Sequence, residues 1–287
     1  MDVPPAQVLD KAAEMVQRAL ASSGLAGRSC LGLGVAAQGA VDVDAGVMKF
    51  APRMPGWVNV PIRDHLAGAL KMQVLLEHDP QCLAYAERWF GAATSTQDVV
   101  CILLSEGIGM GMLLGGEIFR GSEHMAGEFG HMTVQPDDGL PCACGDTGCI
   151  ESYCSVQAVL DAVGRHPTKG PNLQPLFDSG QTPTIEQVIE AARRHDPAAL
   201  AAFGQMGKYL GIGIANTVDM LNPSLVVLCG VLTAAYEFYQ PAMDEQLQKH
   251  AWKHSAHRTV VSTLGPRALT IGACGIVLQK LLETNGE

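Results

Sequence analysis

A chain of 287 residues with net charge −10, 47% apolar and 17% charged residues has the composition of a folded α/β protein and excludes an intrinsically disordered one. The acidic balance argues against a broad nucleic-acid surface, which needs clustered basic side chains; the short basic stretches Arg193-Arg194 and Lys249–Arg258 do not offset it. No apolar run is long enough to cross a bilayer and the first residues carry no signal-peptide core, so the expected location is the cytoplasm, with no membrane partner.

Val8, Leu9, Ala12, Val16 and Leu20 recur at helical spacing over 5–23, with Gly24 as the stop. Cys30–Ala36 reads as a buried strand, followed by Gly39 and a DVDAG turn, and Val47–Phe50 reads as the return strand of a hairpin. APRMPGW is a loop, 62–70 a short helix, and Met72–Leu76 a strand ending at Glu77-His78-Asp79. A helix follows over Gln81–Phe90. Glycines 107, 109, 111, 115 and 116 then divide the apolar stretch after Asp98 into two strands and turns. A helix from about Ser152 leads to a polar loop over 166–183, and Thr184 with Gln187 forms a capping-box pattern that opens the next helix. Gly204, Gly207, Gly211 and Gly213 lie within a long helix over Pro197–Leu221 and predict close packing or a bend. A strand over 222–230, a helix over 238–250, a short strand near Val260 and a helix over 271–283 complete the chain. Alternating strands and helices predict an α/β fold with a largely parallel sheet. The polar ATSTQD puts a boundary near 92–97, dividing a smaller lobe, 1–95, from a larger one, 96–287, whose terminal helix is expected to pack back on the first.

Nine cysteines, an odd number, do not suggest a disulfide framework. Cys30, Cys101, Cys229 and Cys274 lie in apolar runs and read as small buried hydrophobes. Cys142, Cys144 and Cys149 form a C-x-C-x4-C pattern in which Gly145 and Gly148 let the backbone fold round an ion, and His131 is the nearest upstream histidine. Three thiolates and one imidazole make a closed Cys3His set, the donor chemistry of a structural zinc site. The alternatives are reduced thiols in a surface loop, or a redox pair lacking the usual C-x-x-C spacing.

GEFGHMTV followed by CACGDTGCIE resembles the zinc signature of the ROK family (repressors, open reading frames and sugar kinases). LGLGVAAQGAVD, APRMPGW, HDPQCLAYAERWFGAA, GIGMGMLLGGEIFRG, LGIGIANTVDMLNPSLVVLCG and IGACGIVLQKL extend the resemblance, in order, over nearly the whole chain. It implies an actin-like, hexokinase-like pair of α/β lobes of ribonuclease H type, with a zinc loop over 127–151 and a dimer. By position Asp79 matches the family's catalytic base, and Glu128, His131 and Glu151 match residues that bind sugar hydroxyls, with His131 also on zinc. Read by themselves, Asp79 is a helix cap, Glu151 a first-turn charge and Glu128 a solvated carboxylate.

The chain also departs from the family. The Asp-x-Gly-Gly-Thr turn that grips ATP phosphates is absent, so the first lobe is expected to be truncated. No helix-turn-helix is present, so DNA binding is expected from a segment outside this chain. The kinase Gly-Thr-Gly turn reads Ser105-Glu106-Gly107, placing a carboxylate where Gly107 and Gly109 would form the phosphate loop. The glycine pair of the adenine site is reduced to Cys229-Gly230. His78, Pro80, Gln81 and Arg53 replace the usual residues on the sugar side, and Arg53 with His78 could admit a phosphate or acid group. The expected function is a sugar-sensing module of a transcriptional regulator. The alternatives are a sugar kinase using Mg-ATP, with Asp79 as base, and a scaffold with a vestigial cleft.

Overall fold

The computed structural model describes residues 3–24, 30–51, 54–253 and 256–285. Helix α1 (Pro5–Ser22) buries Leu9 and Ala13 against the first-lobe core and starts with a proline, where no backbone donor is needed. Strand β1 (Leu33–Ala37) pairs in parallel with β5 (Val74–His78). Between them lie the antiparallel strands β2 (Ala40–Asp42), β3 (Val47–Phe50) and β4 (Val58–Val60), and helix α2 (Ile62–Leu70). The hairpin expected at Val47–Phe50 is therefore present, between β2 and β3. Helix α3 (Asp79–Phe90) leaves the end of β5 directly, with proline in its first turn.

The second part centres on a five-stranded sheet ordered β10-β9-β6-β7-β8. It is formed by β6 (Val99–Leu104), β7 (Ile108–Leu114), β8 (Glu117–Ile118), β9 (Leu225–Cys229) and β10 (Arg258–Val261). Helices α4 (Glu151–Cys154), α5 (Val156–Arg165), α6 (Gln174–Asp178), α7 (Ile185–Arg193), α8 (Pro197–Leu221), α9 (Tyr236–His250) and α10 (Ala268–Asn285) follow or intervene. Among the described residues no helix is long and apolar enough to cross a membrane.

Several boundaries differ from the sequence expectations. The sheet is mixed rather than largely parallel: β6 runs parallel to β9 and antiparallel to β7. The short Ser105-Glu106-Gly107 link allows a hairpin but no parallel crossover, which needs a dozen or so residues. Strand β1 starts at Leu33, leaving Cys30 exposed; Cys274 is exposed as well, on α10, whereas Cys101 and Cys229 are buried as expected. Strand β5 reaches His78 and α3 starts at Asp79, two residues beyond and before the expected limits. The helix expected from Ser152 is broken at Ser155, whose side chain accepts the Ala158 N–H and caps α5. The capping box holds, with Gln187 Oε1 accepting the Thr184 N–H at 2.9 Å.

Strand β6 is buried on both faces: Val100, Ile102 and Leu104 enter the core with α8 and α9, while Val99, Cys101 and Leu103 face α3 and α10. Helix α8 stays unbroken, and all but one of its four glycines serve close packing: a Cβ on Gly207 or Gly211 would strike the α9 carbonyls of Tyr239 and Met243, and one on Gly213 would strike Ile150 and Phe129, whereas Gly204 faces open space. The same device seats α10. A Cβ on Gly272 would strike the Cys82 carbonyl of α3, and one on Gly34 in β1 would strike the Ala273 carbonyl.

Replacing a helical glycine by alanine ordinarily stabilises by up to about 1 kcal/mol. At Gly272 the sign reverses, because the methyl meets backbone rather than a movable side chain. Gly272→Ala is expected to cost about 1–3 kcal/mol, read as a lower urea midpoint at unchanged slope. A raised midpoint would sink this account of the α3–α10 contact.

Candidate functional site

Residues 127–151 lie over the end of β7. Gly127 adopts φ 104°, and a side chain there would collide with the Met110 carbonyl; one on Gly130 would meet the Ile108 carbonyl. Between them Glu128 starts a single 3-10 turn, Phe129–His131. Phe129 and Ile150 are both buried and both reach α8 at Gly213, where a side chain would meet each of them. One hydrophobic seat thus anchors the segment carrying Glu128 and His131 and the segment carrying Cys149 and Glu151.

His131 Nδ1 lies 3.6 Å from Cys142 Sγ, and Cys144 Sγ lies 3.8 Å from Cys149 Sγ. All four candidate ligand atoms fall within 4.8 Å of one another. A tetrahedral ion with bonds of about 2.1 Å to nitrogen and about 2.3 Å to sulfur has edges of about 3.6 Å and 3.8 Å. Those two distances match such edges, and the set as a whole has the donor chemistry and the closeness that such an ion needs. Gly145 and Gly148 take φ 98° and 77°, as the turn requires, and Cys142 N–H donates to the Asp146 carbonyl at 2.8 Å. His131 turns its other nitrogen, Nε2, towards Glu128 Oε2 at 3.9 Å.

Glu128, His131 and Glu151 line a cleft of about 250 Å³ together with His78 and Asp79. Glu151 heads α4, and its Oε2 accepts the Ile108 N–H at 3.0 Å. Asp79 stands at the first position of α3, after His78, the N-cap, whose side chain makes no cap bond; Asp79 Oδ1 lies 3.4 Å from His78 Nε2. Burial pushes the Asp79 carboxyl up to about 7, its own backbone N–H opposing and the Glu128 charge adding to the rise. Burial pushes His78 down to about 4. At neutral pH His78 is therefore uncharged, and the close pair is not a salt bridge. Glu128 is also raised, first by burial, with His131 opposing and Glu151 adding.

The remaining expected residues divide. Glu106 is exposed and lines the cleft from the β6–β7 turn, closed by Ser105 N–H on the Gly107 carbonyl at 3.2 Å. Gly107 and Gly109 line it too, but Pro80 of α3 packs on Gly109, so that glycine already has a packing reason. Gln81 is buried and lies outside the cleft lining, with Oε1 accepting Met112 N–H and Nε2 donating to the Ala126 carbonyl, both at 3.2 Å. Gly230, at φ 98°, packs on the Leu104 backbone, and neither it nor Cys229 lines the cleft. Arg53 lies outside the described residues. Sequence reasoning missed Gln38 and Leu269 in the lining; Gln38 stands beside Gly39, whose φ of 82° carries the chain past Phe50, and that Gln-Gly pair was the available signal.

The sequence model of the ROK family matches residues 2–280. The chain is 32% identical over 256 residues to a glucokinase of Halalkalibacterium halodurans, covering 87% of this chain and 77% of that enzyme. It is 27% identical over 255 residues to the xylose repressor of Bacillus subtilis strain 168, covering 88% and 62%. A ROK family glucokinase from Streptomyces griseus, solved in complex with glucose and AMPPNP, superposes with TM-score 0.80 at 28% identity, covering 93% of this chain and 87% of that one.

The His78–Asp79 pair has a pH signature. The Asp79 contribution to stability is full below its ordinary 3.8 and is lost as pH rises through about 7. The His78 contribution is full above its ordinary 6.5 and is lost as pH falls through about 4. Between about pH 4 and 6.5 the two slopes oppose. Relative to wild type, Asp79→Asn should therefore gain stability with rising pH up to about 7, and His78→Asn should lose it up to about 6.5. Each difference is bounded by about 1.4 kcal/mol per pH unit, measured by urea unfolding. Parallel profiles in all three proteins would refute the pairing.

Proposed function

Because the chain belongs to the ROK family, we propose that it is the sugar-sensing module of a ROK-type transcriptional regulator. It has the two-lobed, hexokinase-like, actin-like α/β fold of that family. The observation that carries the reading is the convergence of Asp79, Glu128, His131 and Glu151 on one cleft, with His131 also in the Cys3His cluster. The ligand is a hexose-like sugar. Carboxylates suit vicinal hydroxyls because each oxygen accepts more than one hydrogen bond. Zinc on Nδ1 leaves Nε2 protonated, a fixed donor to a sugar oxygen. A structural zinc ion held by His131, Cys142, Cys144 and Cys149 would keep that ring and the two glutamates in register. The protein acts in the cytoplasm as a homodimer and reaches DNA through a segment outside this chain.

Glu106 favours regulation over phosphoryl transfer. At about 4 Å a carboxylate and a phosphate charge repel by about 1 kcal/mol in water and about 4 kcal/mol near a protein surface. Being exposed, Glu106 sits towards the lower figure, which weakens a phosphate loop without abolishing it. One observation favours the second reading, a sugar kinase. With its carboxyl near 7, Asp79 is about half ionised at neutral pH and suited to take the proton from a sugar hydroxyl. Mg-ATP would supply the phosphoryl group, and Gly107 with Gly109 would border it.

Thermal unfolding with D-glucose, other hexoses and the pentose D-xylose is expected to show stabilisation by sugar, about 2.7 kcal/mol at a hundredfold excess over Kd. A coupled assay for ATP consumption with the same sugars is expected to show no turnover. Turnover abolished by Asp79→Asn would establish the kinase reading instead, and no stabilisation by any sugar would leave a vestigial cleft. Cys144→Ser is expected to lose zinc, measured by elemental analysis, and to weaken sugar binding at least tenfold, about 1.4 kcal/mol. Intact sugar binding in a zinc-free variant would disprove the coupling.

A further inference from the structure

We infer that Arg120 is a positioning residue, whose ion pair with Glu77 holds the Asp79 end of β5 against the loop delivering Glu128 and His131. The inference rests on the sugar-binding reading of the cleft. Neither Arg120 nor Glu77 lines that cleft. Glu77 is 1% exposed, so its carboxylate needs compensation, and every strong contact it makes leads towards the site. Oε2 accepts Arg120 Nε at 3.0 Å and Nη2 at 2.7 Å. Oε1 accepts the backbone N–H of His78, the residue before Asp79, at 3.0 Å. Arg120 Nη2 also donates to the Tyr85 hydroxyl of α3 at 3.0 Å.

The other end of the clamp is the loop over 120–126. The Arg120 carbonyl accepts the Ala126 N–H at 2.9 Å, closing the loop on itself. Gln81 of α3 then holds the Ala126 carbonyl and the Met112 N–H. Gly127 follows, pressed on the Met110 carbonyl, and Glu128 comes next. The segment bearing Asp79 and the segment bearing Glu128 are thus tied by a forked ion pair and a bifunctional amide. A buried ion pair is weak evidence for stability, since apolar replacement of both partners is often neutral, whereas a fixed fork sets geometry. That separates positioning from mere clamping.

The test compares Arg120→Met, Glu77→Gln/Arg120→Met and Arg120→Lys with wild type. The single Arg120→Met change leaves a buried charge alone and should lower the thermal midpoint. The double variant removes that charge while the amide oxygen still accepts the His78 N–H, so its midpoint and its zinc content should return to those of wild type. Positioning predicts that its Kd for D-glucose or D-xylose, by calorimetry, nevertheless rises at least tenfold. Arg120→Lys keeps the charge and lacks the fork; its Kd should rise at least threefold with zinc retained, which decides the matter if the double variant does not fold. Wild-type affinity in either folded variant would overturn the inference.

If wild type binds none of the sugars, the sugar reading falls and positioning is read on the unliganded protein. The groups facing Asp79 are His78 at its own junction, Glu128 from the opposite loop and Cys82 beneath on α3. Carboxyl ¹³C titration of Asp79 should move down by at least one pH unit in the double variant or in Arg120→Lys, as the freed loop admits water. An unmoved midpoint would again overturn it.

Discussion

Backbone laid on backbone along β7 is the contact from which the candidate site is assembled. Pro80 of α3 sits on Gly109 and Gly111, where any side chain would strike its ring or its carbonyl. Gly127 and Gly130 sit on the carbonyls of Met110 and Ile108. Glu151 takes the Ile108 N–H. Three chain segments remote in sequence thereby bring Asp79, Glu128, His131 and Glu151 to the same few residues of one strand. A single Cβ at Gly111 or Gly127 would push one wall outward, and cleft geometry changes steeply with such shifts because interiors are close-packed.

Crowding carboxylates into a partly dry cleft has an electrostatic consequence. Asp79, Glu106, Glu128 and Glu151 line it, and among its described lining residues there is no lysine or arginine. Burial and mutual repulsion raise Asp79 and Glu128, so the site holds protons more readily than free carboxylates do. Such a surface disfavours a phosphate or an acid group and suits a neutral polyol, whose hydroxyls donate to carboxylate oxygens without adding charge. His78, uncharged at neutral pH, does not alter this balance and offers no ready counter-ion for an anionic substituent.

Much of this was legible in the sequence, for identifiable reasons. The C-x-C-x4-C spacing with His131 specified a compact donor set because short spacing leaves the chain few other conformations. The long helix and the Thr184 capping box were legible because periodicity and capping are local. The start of α3 was misread by two residues although Pro80 marked it, since proline belongs in the first helical turn. The parallel sheet was misjudged because alternation was counted while the length of the β6–β7 link was ignored. Cys30 and Cys274 were misplaced because an apolar run was equated with burial, and one lies before its strand and the other on the outer face of its helix. What the glycines of β7 do was not legible at all, since a missing side chain carries no signal about which distant backbone will fill its place. The joint site needed the family resemblance, because nothing local links Asp79 to Glu151.

The metal cluster and the cleft share more than His131. Cys149 and Glu151 flank Ile150, while Phe129 and Gly130 lie between Glu128 and His131, and the side chains of Ile150 and Phe129 both press on α8 at Gly213. Each segment therefore has one residue facing the cluster, one buried and one facing the cleft. An ion closing the cluster removes conformational freedom from both segments together, and the freedom removed is what a ligand would otherwise have to order on binding. A closed metal site can in this way serve recognition while taking no part in chemistry. The β6–β7 turn carrying Glu106 is held by its own hairpin, by Val156 N–H on the Ser105 carbonyl and by Glu151 Oε2 on the Ile108 N–H, while the Glu106 side chain itself is exposed. A change of side chain at the exposed Glu106 can therefore alter the charge of that rim without disturbing the buried Phe129 and Ile150 that seat the other two segments.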